Sequence, residues 1–305
     1  MKPQKNLLLI SLLICSFILS SCSSTFMVID TPKTMPPPRV LKSKPRVAVV
    51  LGGGAFLGLA HLGVLKVFEE NNIKIDLIVG TSVGSFVGAM YSANPNSDAI
   101  KRLALTIKSD EIFNASLFNS MTGFVTGENL QKYITDNLSI KNIEDTKIPF
   151  VAVTTDLISG NTIPLSSGPI APSVNSSCAI PMIFEPVKMY GMTFVDGGVL
   201  DAVPVDIAKT YNPDVIIAID LMNVFNTTPE LKNFIDVLGR CYQVGSHKLK
   251  EQIAPQADIL LKPKLSQFPL LSDKFDKQVY DAGYTVAKEN IEEIKRVIAE
   301  KVKND

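Results

Sequence analysis

The feature that most constrains this chain is a set of short runs, apolar at every position, separated by glycine breaks and helix-patterned stretches. Val47-Ala48-Val49-Val50-Leu51 is the clearest, and Gly52-Gly53-Gly54 stops it. A strand with one wet face alternates polar and apolar residues. A run apolar throughout predicts a strand covered on both faces, as in a largely parallel sheet. Residues 56–70 follow with Leu59, Leu62 and Val67 at helical spacing. Further strands are predicted at 77–79, 150–154, 193–195, 215–219 and 259–261, with helical stretches between them and one helix over 281–302. The expected fold is α/β, a single domain with a central, mostly parallel sheet and helices on both faces. At 305 residues and 46% hydrophobic, the chain can bury a sizeable core.

Two short motifs carry the chemistry. Gly80-Thr81-Ser82-Val83-Gly84 is a G-x-S-x-G placed directly after the apolar run 75–79 and before a plausible helix. A sharp strand-to-helix turn lifts a serine hydroxyl clear of the backbone, and the helix N-terminus favours negative charge beside it. Serine alone is a poor nucleophile and needs a base within hydrogen-bond reach. The chain has 2 histidines: His61, whose helical position reads as structural, and His247, which lies in a polar stretch and reads as exposed. A carboxylate is the other kind of base to consider, and Asp156, Asp201 and the aspartate of Asp196-Gly197-Gly198 are candidates, although Asp-Gly-Gly taken alone reads as a surface turn. Gly52-Gly53-Gly54, between a strand and a helix, can aim successive N–H groups into one concavity. A phosphate cradle and an oxyanion hole both fit such a nest. The absence of G-x-G-x-x-G spacing and of a Walker Lys-Ser/Thr pair, with G-x-S-x-G nearby, favours the oxyanion hole.

Net charge is zero, which argues against nucleic acid as a partner. Lys2 and Lys5 precede a nearly unbroken apolar stretch over 7–19 that ends in Leu19-Ser20-Ser21-Cys22. The stretch is short for a membrane span of roughly 20 residues and reads as a signal-peptide core. Leu-Ser-Ser-Cys after such a core resembles the lipobox of bacterial lipoproteins. That resemblance implies a signal peptide over 1–21, cleavage before Cys22 and acylation of Cys22. Ser23 in the next position implies outer-membrane sorting where the host has two membranes. Residues 23–46 hold Pro32, Pro36, Pro37, Pro38 and Pro45 among basic residues and read as a solvated tether. Cys178 and Cys241 remain in the body as ordinary thiols, and no His/Cys cluster or acidic loop points to a metal or cofactor. Residues 111–127 mix aromatic and small polar residues and are expected to pack on the sheet rather than form a lid.

Five stretches, taken in order, resemble the patatin-like phospholipases. The stretch 51–65, which begins Leu51-Gly52-Gly53-Gly54-Ala55-Phe56-Leu57-Gly58, looks like the family's opening motif, Gly80–Gly84 its nucleophile elbow and Asp196-Gly197-Gly198 its D-G-G/A motif. Residues 148–156 and 177–186 agree as well, so the likeness runs over about 46–221, with a helical part over 222–305. The resemblance implies a Ser82–Asp196 dyad, an oxyanion hole at Gly52, Gly53 and Gly54, an acyl-enzyme, no cofactor, and membrane phospholipid or lysophospholipid as substrate. Leu57 stands where the family commonly has a basic residue, which leaves a thioesterase or general carboxylesterase open within the same fold. A lipoprotein that binds lipid or a partner without catalysis is the alternative of another class.

Overall fold

The computed structural model describes residues 26–106, 125–223, 229–270 and 272–302. The expected signal peptide, Cys22 and nearly all of 111–127 lie outside the described residues.

The described chain begins with β1 (Met27–Val28) and β2 (Val47–Leu51), then a 3-10 turn, Ala55–Gly58, leading into α1 (Leu59–Glu70). β3 (Leu77–Thr81), α2 (Val83–Ala93), α3 (Ser97–Ala104) and α4 (Glu128–Asn137) follow. Next come β4 (Phe150–Asp156), β5 (Asn161–Leu165), α5 (Ile170–Ser177), β6 (Val187–Met189) and β7 (Met192–Asp196). The last third holds α6 (Val205–Lys209), β8 (Val215–Ile219), α7 (Phe234–Ile253), β9 (Ile259–Leu261) and α8 (Asp276–Lys301).

All the described strands join one sheet. Its centre is parallel, running β4-β3-β2-β8-β9. The antiparallel pairings are confined to one side, where β4 takes β5 and β7, and β7 takes β6. The apolar runs are apolar throughout because both faces are covered. Val47, Val49 and Leu51 enter one core with Leu62, Leu65 and Phe68 of α1 and Ala287, Ile291 and Ile294 of α8. Ala48 and Val50 point the other way, into a smaller core with Val205 and Ala208 of α6. On the first face α8 lies against α1 closely enough that a Cβ on Gly283 would sit 1.9 Å from the Ala60 carbonyl oxygen. That approach between helix backbones requires glycine.

The predicted strands are present, three of them longer by one or more residues. The predicted helix over 56–70 divides into the 3-10 turn and α1, and α8 begins at Asp276, five residues earlier than its pattern. Strands β1 and β6 span two and three residues and β5 holds Pro164, so none carries an apolar run of its own. Residues 26–46 also differ from the expected solvated tether. β1 pairs in parallel with β6, and the Arg39 guanidinium donates to Thr146 Oγ1 at 2.8 Å. Ser167 Oγ donates to the Pro37 carbonyl at 2.7 Å. This segment is laid along the domain.

Candidate active site

Ser82 and Asp196 are 114 residues apart in sequence (196 − 82) and meet through β4. On one edge of β4, residues 152–156 are taken by β5. The other edge is shared end to end. β3 occupies it up to the pair Thr81↔Val153, and β7, running the opposite way, occupies it from the pair Thr154↔Asp196. The two strand ends therefore abut on neighbouring rungs of β4. Ser82 leaves the sheet where Asp196 arrives.

The local chain is built for this. Ser82 has φ 55°, ψ −128°, a backbone that L-residues rarely adopt, between the last residue of β3 and the first of α2. Such strain persists only where surrounding structure over-determines it. Gly84 provides part of that structure: a Cβ there would lie 2.0 Å from the Leu51 carbonyl oxygen, so α2 starts directly against the end of β2. The last residue of α5 and the segment after it hold both residues. The Ser82 N–H donates to Ser177 Oγ at 3.0 Å, and that hydroxyl donates to the Val153 carbonyl at 2.6 Å. The Asp196 N–H donates to the Ala179 carbonyl at 2.9 Å.

The Asp196 carboxyl is fully buried. Oδ1 accepts the Gly198 N–H at 2.7 Å, while Oδ2 has no hydrogen-bond partner among the described residues. Burial pushes this group up to about 6, with the Ser82 hydroxyl and the Gly198 N–H pulling it back down. At neutral pH it is ionised, yet far more basic than a surface aspartate. The other carboxylates are engaged differently. Burial of Asp156 is outweighed by donation from Ser159 and Thr193, which holds it below the usual carboxylate range as a turn cap. Burial, followed by Asp206, pushes Asp201 up to about 9, so it is protonated and cannot accept a proton at neutral pH. His61 is wholly buried and burial lowers it to about 4. Its Nε2–H donates to the Gly52 carbonyl at 2.8 Å, which makes it a strut for the glycine loop. His247 is half-buried beside Glu251, 3.3 Å away, rather than exposed.

The glycine loop passes the serine at contact distance: a Cβ on Gly53 would be 3.3 Å from Ser82 Cβ. Its three amides do not converge as expected. Gly52 N–H donates to the Ile219 carbonyl at 3.1 Å and Gly53 N–H to the Ala202 carbonyl at 2.9 Å. Both are consumed in holding the loop to β8 and to the segment after β7, because a buried amide is costly to leave unpaired. Of the three, only the Gly54 N–H has no acceptor among the described residues.

An apolar cavity of about 140 Å³ opens from Ser82 between α1 and α2, lined by Leu59, Leu62, Phe86, Val87, Ile180 and Phe184 among others. It fits a hydrocarbon chain, with Asp273 and Asp276 also in the lining. Cys178, also in the lining, is buried, Cys241 is exposed, and both are free.

Three contributors escaped the sequence. Ser177 lay inside a motif-like stretch but carried no role. Tyr242 and Lys250 sit on α7, within a part of the chain expected only to be helical. Yet the Tyr242 hydroxyl lies over Gly198, 3.0 Å from where a Cβ would be, and burial together with the Asp196 charge keeps that phenol protonated. Lys250 Nζ reaches Asp220 at 2.9 Å in a buried pair.

Comparison with known proteins gives the chain's relatives. Lysophospholipase nte1 of Aspergillus fumigatus is 29% identical over 279 residues, covering 82% of this chain and 18% of that protein. An uncharacterized NTE family protein of Mycobacterium bovis is 32% identical over 194 residues, 61% of this chain and 53% of that one. The chain thus spans under a fifth of the fungal enzymes it matches. Among solved structures, VipD from Legionella pneumophila superposes with a TM-score of 0.44 at 12% identity, over 93% of this chain and 73% of that one. The family model described as patatin-like phospholipase matches residues 49–209, a span that holds the glycine loop, Ser82 and Asp196, and the chain belongs to that family.

Proposed function

We propose that this protein is a serine acyl-ester hydrolase of phospholipids or lysophospholipids, working through a Ser82–Asp196 dyad. The observation that carries the reading is the abutment of β3 and β7 on β4, which sets a strained serine beside a buried, unpaired carboxylate oxygen at the mouth of an apolar cavity. An acyl chain fills the cavity and brings its ester carbonyl to Ser82. Asp196 takes the hydroxyl proton as Ser82 attacks, and the oxyanion is met by the Gly54 N–H. Collapse, with Asp196 returning that proton to the leaving oxygen, releases the lysolipid or glycerophospho-alcohol and leaves an acyl-serine. Water, deprotonated by the same carboxylate, then frees the fatty acid. A positioned base contributes about 10²–10⁴-fold and one oxyanion donor about 10²–10³.

Substrate class is read directly by mass spectrometry of the products from phospholipid vesicles and from acyl thioesters. Release of fatty acid and lysolipid from the vesicles supports the reading. Turnover of thioesters alone transfers the site to the thioesterase alternative, which Leu57 keeps open. We also place Cys22 as an acylated anchor on the bacterial envelope, in the outer membrane where there are two. Intact-mass measurement of membrane-extracted protein is expected to show a chain beginning at Cys22 with added acyl mass. An unmodified Cys22 would falsify the anchor.

A further inference from the structure

The long helix α7 is fixed to the domain along one side only. Tyr242, Ser246 and Lys250, four residues apart in succession, face inward, with Ser246 Oγ donating to the Gly198 carbonyl and Lys250 Nζ bound to Asp220. The opposite side carries Phe234, Val237, Cys241 and Val244 at helical spacing, bordered by Leu238. All are exposed, Phe234 at 72%. Singly exposed apolar residues are ordinary, but a contiguous stripe along a helix marks a contact surface. Among the described residues no helix is long and apolar enough to cross a membrane, so such a stripe can lie on a bilayer but not span it.

Two observations say what covers it. First, α7 borders the substrate cavity. A Cβ on its Gly239 would lie 3.8 Å from Met182 Cε, and Met182 sits between the cavity-lining residues Ile180 and Phe184. Second, the described chain starts at the same side. Met27 pairs with Val187, five residues beyond Met182 (187 − 182), a step of at most about 17 Å. Because β1 is locked into the sheet, the proline-rich segment after it cannot act as a spacer. Cys22 is four residues before Phe26 in the sequence (26 − 22), a length of chain that can span at most about 14 Å.

We infer that α7 is a membrane-docking helix whose Phe234–Val237–Val244 stripe lies in the surface of a phospholipid bilayer and sets the cavity mouth against its substrate. The inference rests on the proposed lipid substrate and on the Cys22 anchor. The short anchor holds the domain at the surface, and the stripe orients it, so a lipid can pass into the cavity without crossing water.

The chain contains no tryptophan, so Phe234→Trp is a lone fluorescent reporter on the stripe. Val40→Trp serves as its control. Val40 is exposed and lies by the loop before β3, at the end of the sheet away from Ser82. Both are made in the full chain with Ser82→Ala, so that turnover plays no part, and reconstituted into phosphatidylcholine vesicles with brominated acyl chains. Quenching with a blue shift for Phe234→Trp, and neither for Val40→Trp, is the expected result. Equal behaviour of the two, or an unquenched Phe234→Trp because a second copy or residues 107–124 cover the helix, overturns docking. In the active protein, Val237→Ser with Leu238→Ser is expected to lower turnover of vesicle phospholipid about tenfold and to leave a soluble short-chain ester unchanged. An equal loss on both substrates also overturns it. Failure of the hydrolase reading would instead show as no turnover of either substrate with the quenching pattern intact.

Discussion

Ser82→Ala is expected to abolish ester turnover, by about 10⁴-fold or more, while leaving the fold in place. The hydroxyl is small and the backbone at Ser82 is held by Ser177 and Gly84 rather than by the side chain. Asp196→Asn should lose about 10²–10⁴-fold, because the amide cannot accept the proton. The two variants part on stability. The Asp196 carboxyl sits at about 6 in the folded protein against an ordinary 3.8, since burial disfavours its charge. A raised acid costs folding free energy only where it must ionise. The penalty is absent below the unfolded value, grows as pH rises from about 4 to 6, and is complete above 6. At pH 7 its upper bound is about 3 kcal/mol. Asp196→Asn therefore should raise the thermal midpoint at pH 7 and much less at pH 4, whereas Ser82→Ala should leave it nearly unmoved. The same value sets the activity profile. On a soluble ester, kcat/KM should fall about tenfold per pH unit below about 6 and level off above it. A flat profile down to pH 4, or near-normal turnover in Asp196→Asn, would remove Asp196 as the base.

Lys250→Ala is expected to be the most destabilising single change on α7, at about 3–5 kcal/mol. Lys250 is 4% exposed and Asp220 3%. The ammonium meets both Asp220 oxygens, at 2.9 and 3.1 Å, and also the Met222 carbonyl. Removing it strands a buried carboxylate at the end of β8, one residue past the Ile219 carbonyl that holds Gly52. The loss should thus spread from α7 to the glycine loop, and activity should fall at temperatures where the protein is still folded. Lys250→Met with Asp220→Asn removes both charges together and is expected to recover most of the stability. A cost below about 1 kcal/mol for Lys250→Ala, measured by denaturant unfolding, would show that the pair is solvated. The ion pairs of α8, such as Arg296 with Glu293 and Glu300, are exposed and should each matter little.

Much of the molecule follows from neighbours in sequence. Val47–Leu51 and Val215–Ile219 could be read as central strands because burial on two faces leaves no polar position in the run. The elbow at Ser82 and the turn after Asp196 were legible because a strained turn and a close backbone approach restrict which residues can stand there. Edge elements were not. β1 and β6 span only two and three residues, and β5, as long as β2, starts on polar residues and holds Pro164.

The glycine loop shows where local reading stops. Three glycines promise three convergent amides, but the carbonyls of Ile219 and Ala202 take two of them, and those carbonyls arrive from about 150 residues away. α7 shows the same from the other direction: its charged and apolar residues alternate as on any surface helix, and only packing reveals that Tyr242 and Lys250 face inward while Phe234 faces out. The sequence by itself determined an α/β sheet with its strands covered on both faces, and it offered Ser82 by the spacing of its elbow and Asp196 by the likeness of its Asp-Gly-Gly to a family motif. Only the tertiary structure decided that these two residues meet, that one loop amide has no acceptor among the described residues, and which side of α7 is bare. Those are matters of which strand end abuts which on a shared edge of β4, and no residue's immediate neighbours contain that information.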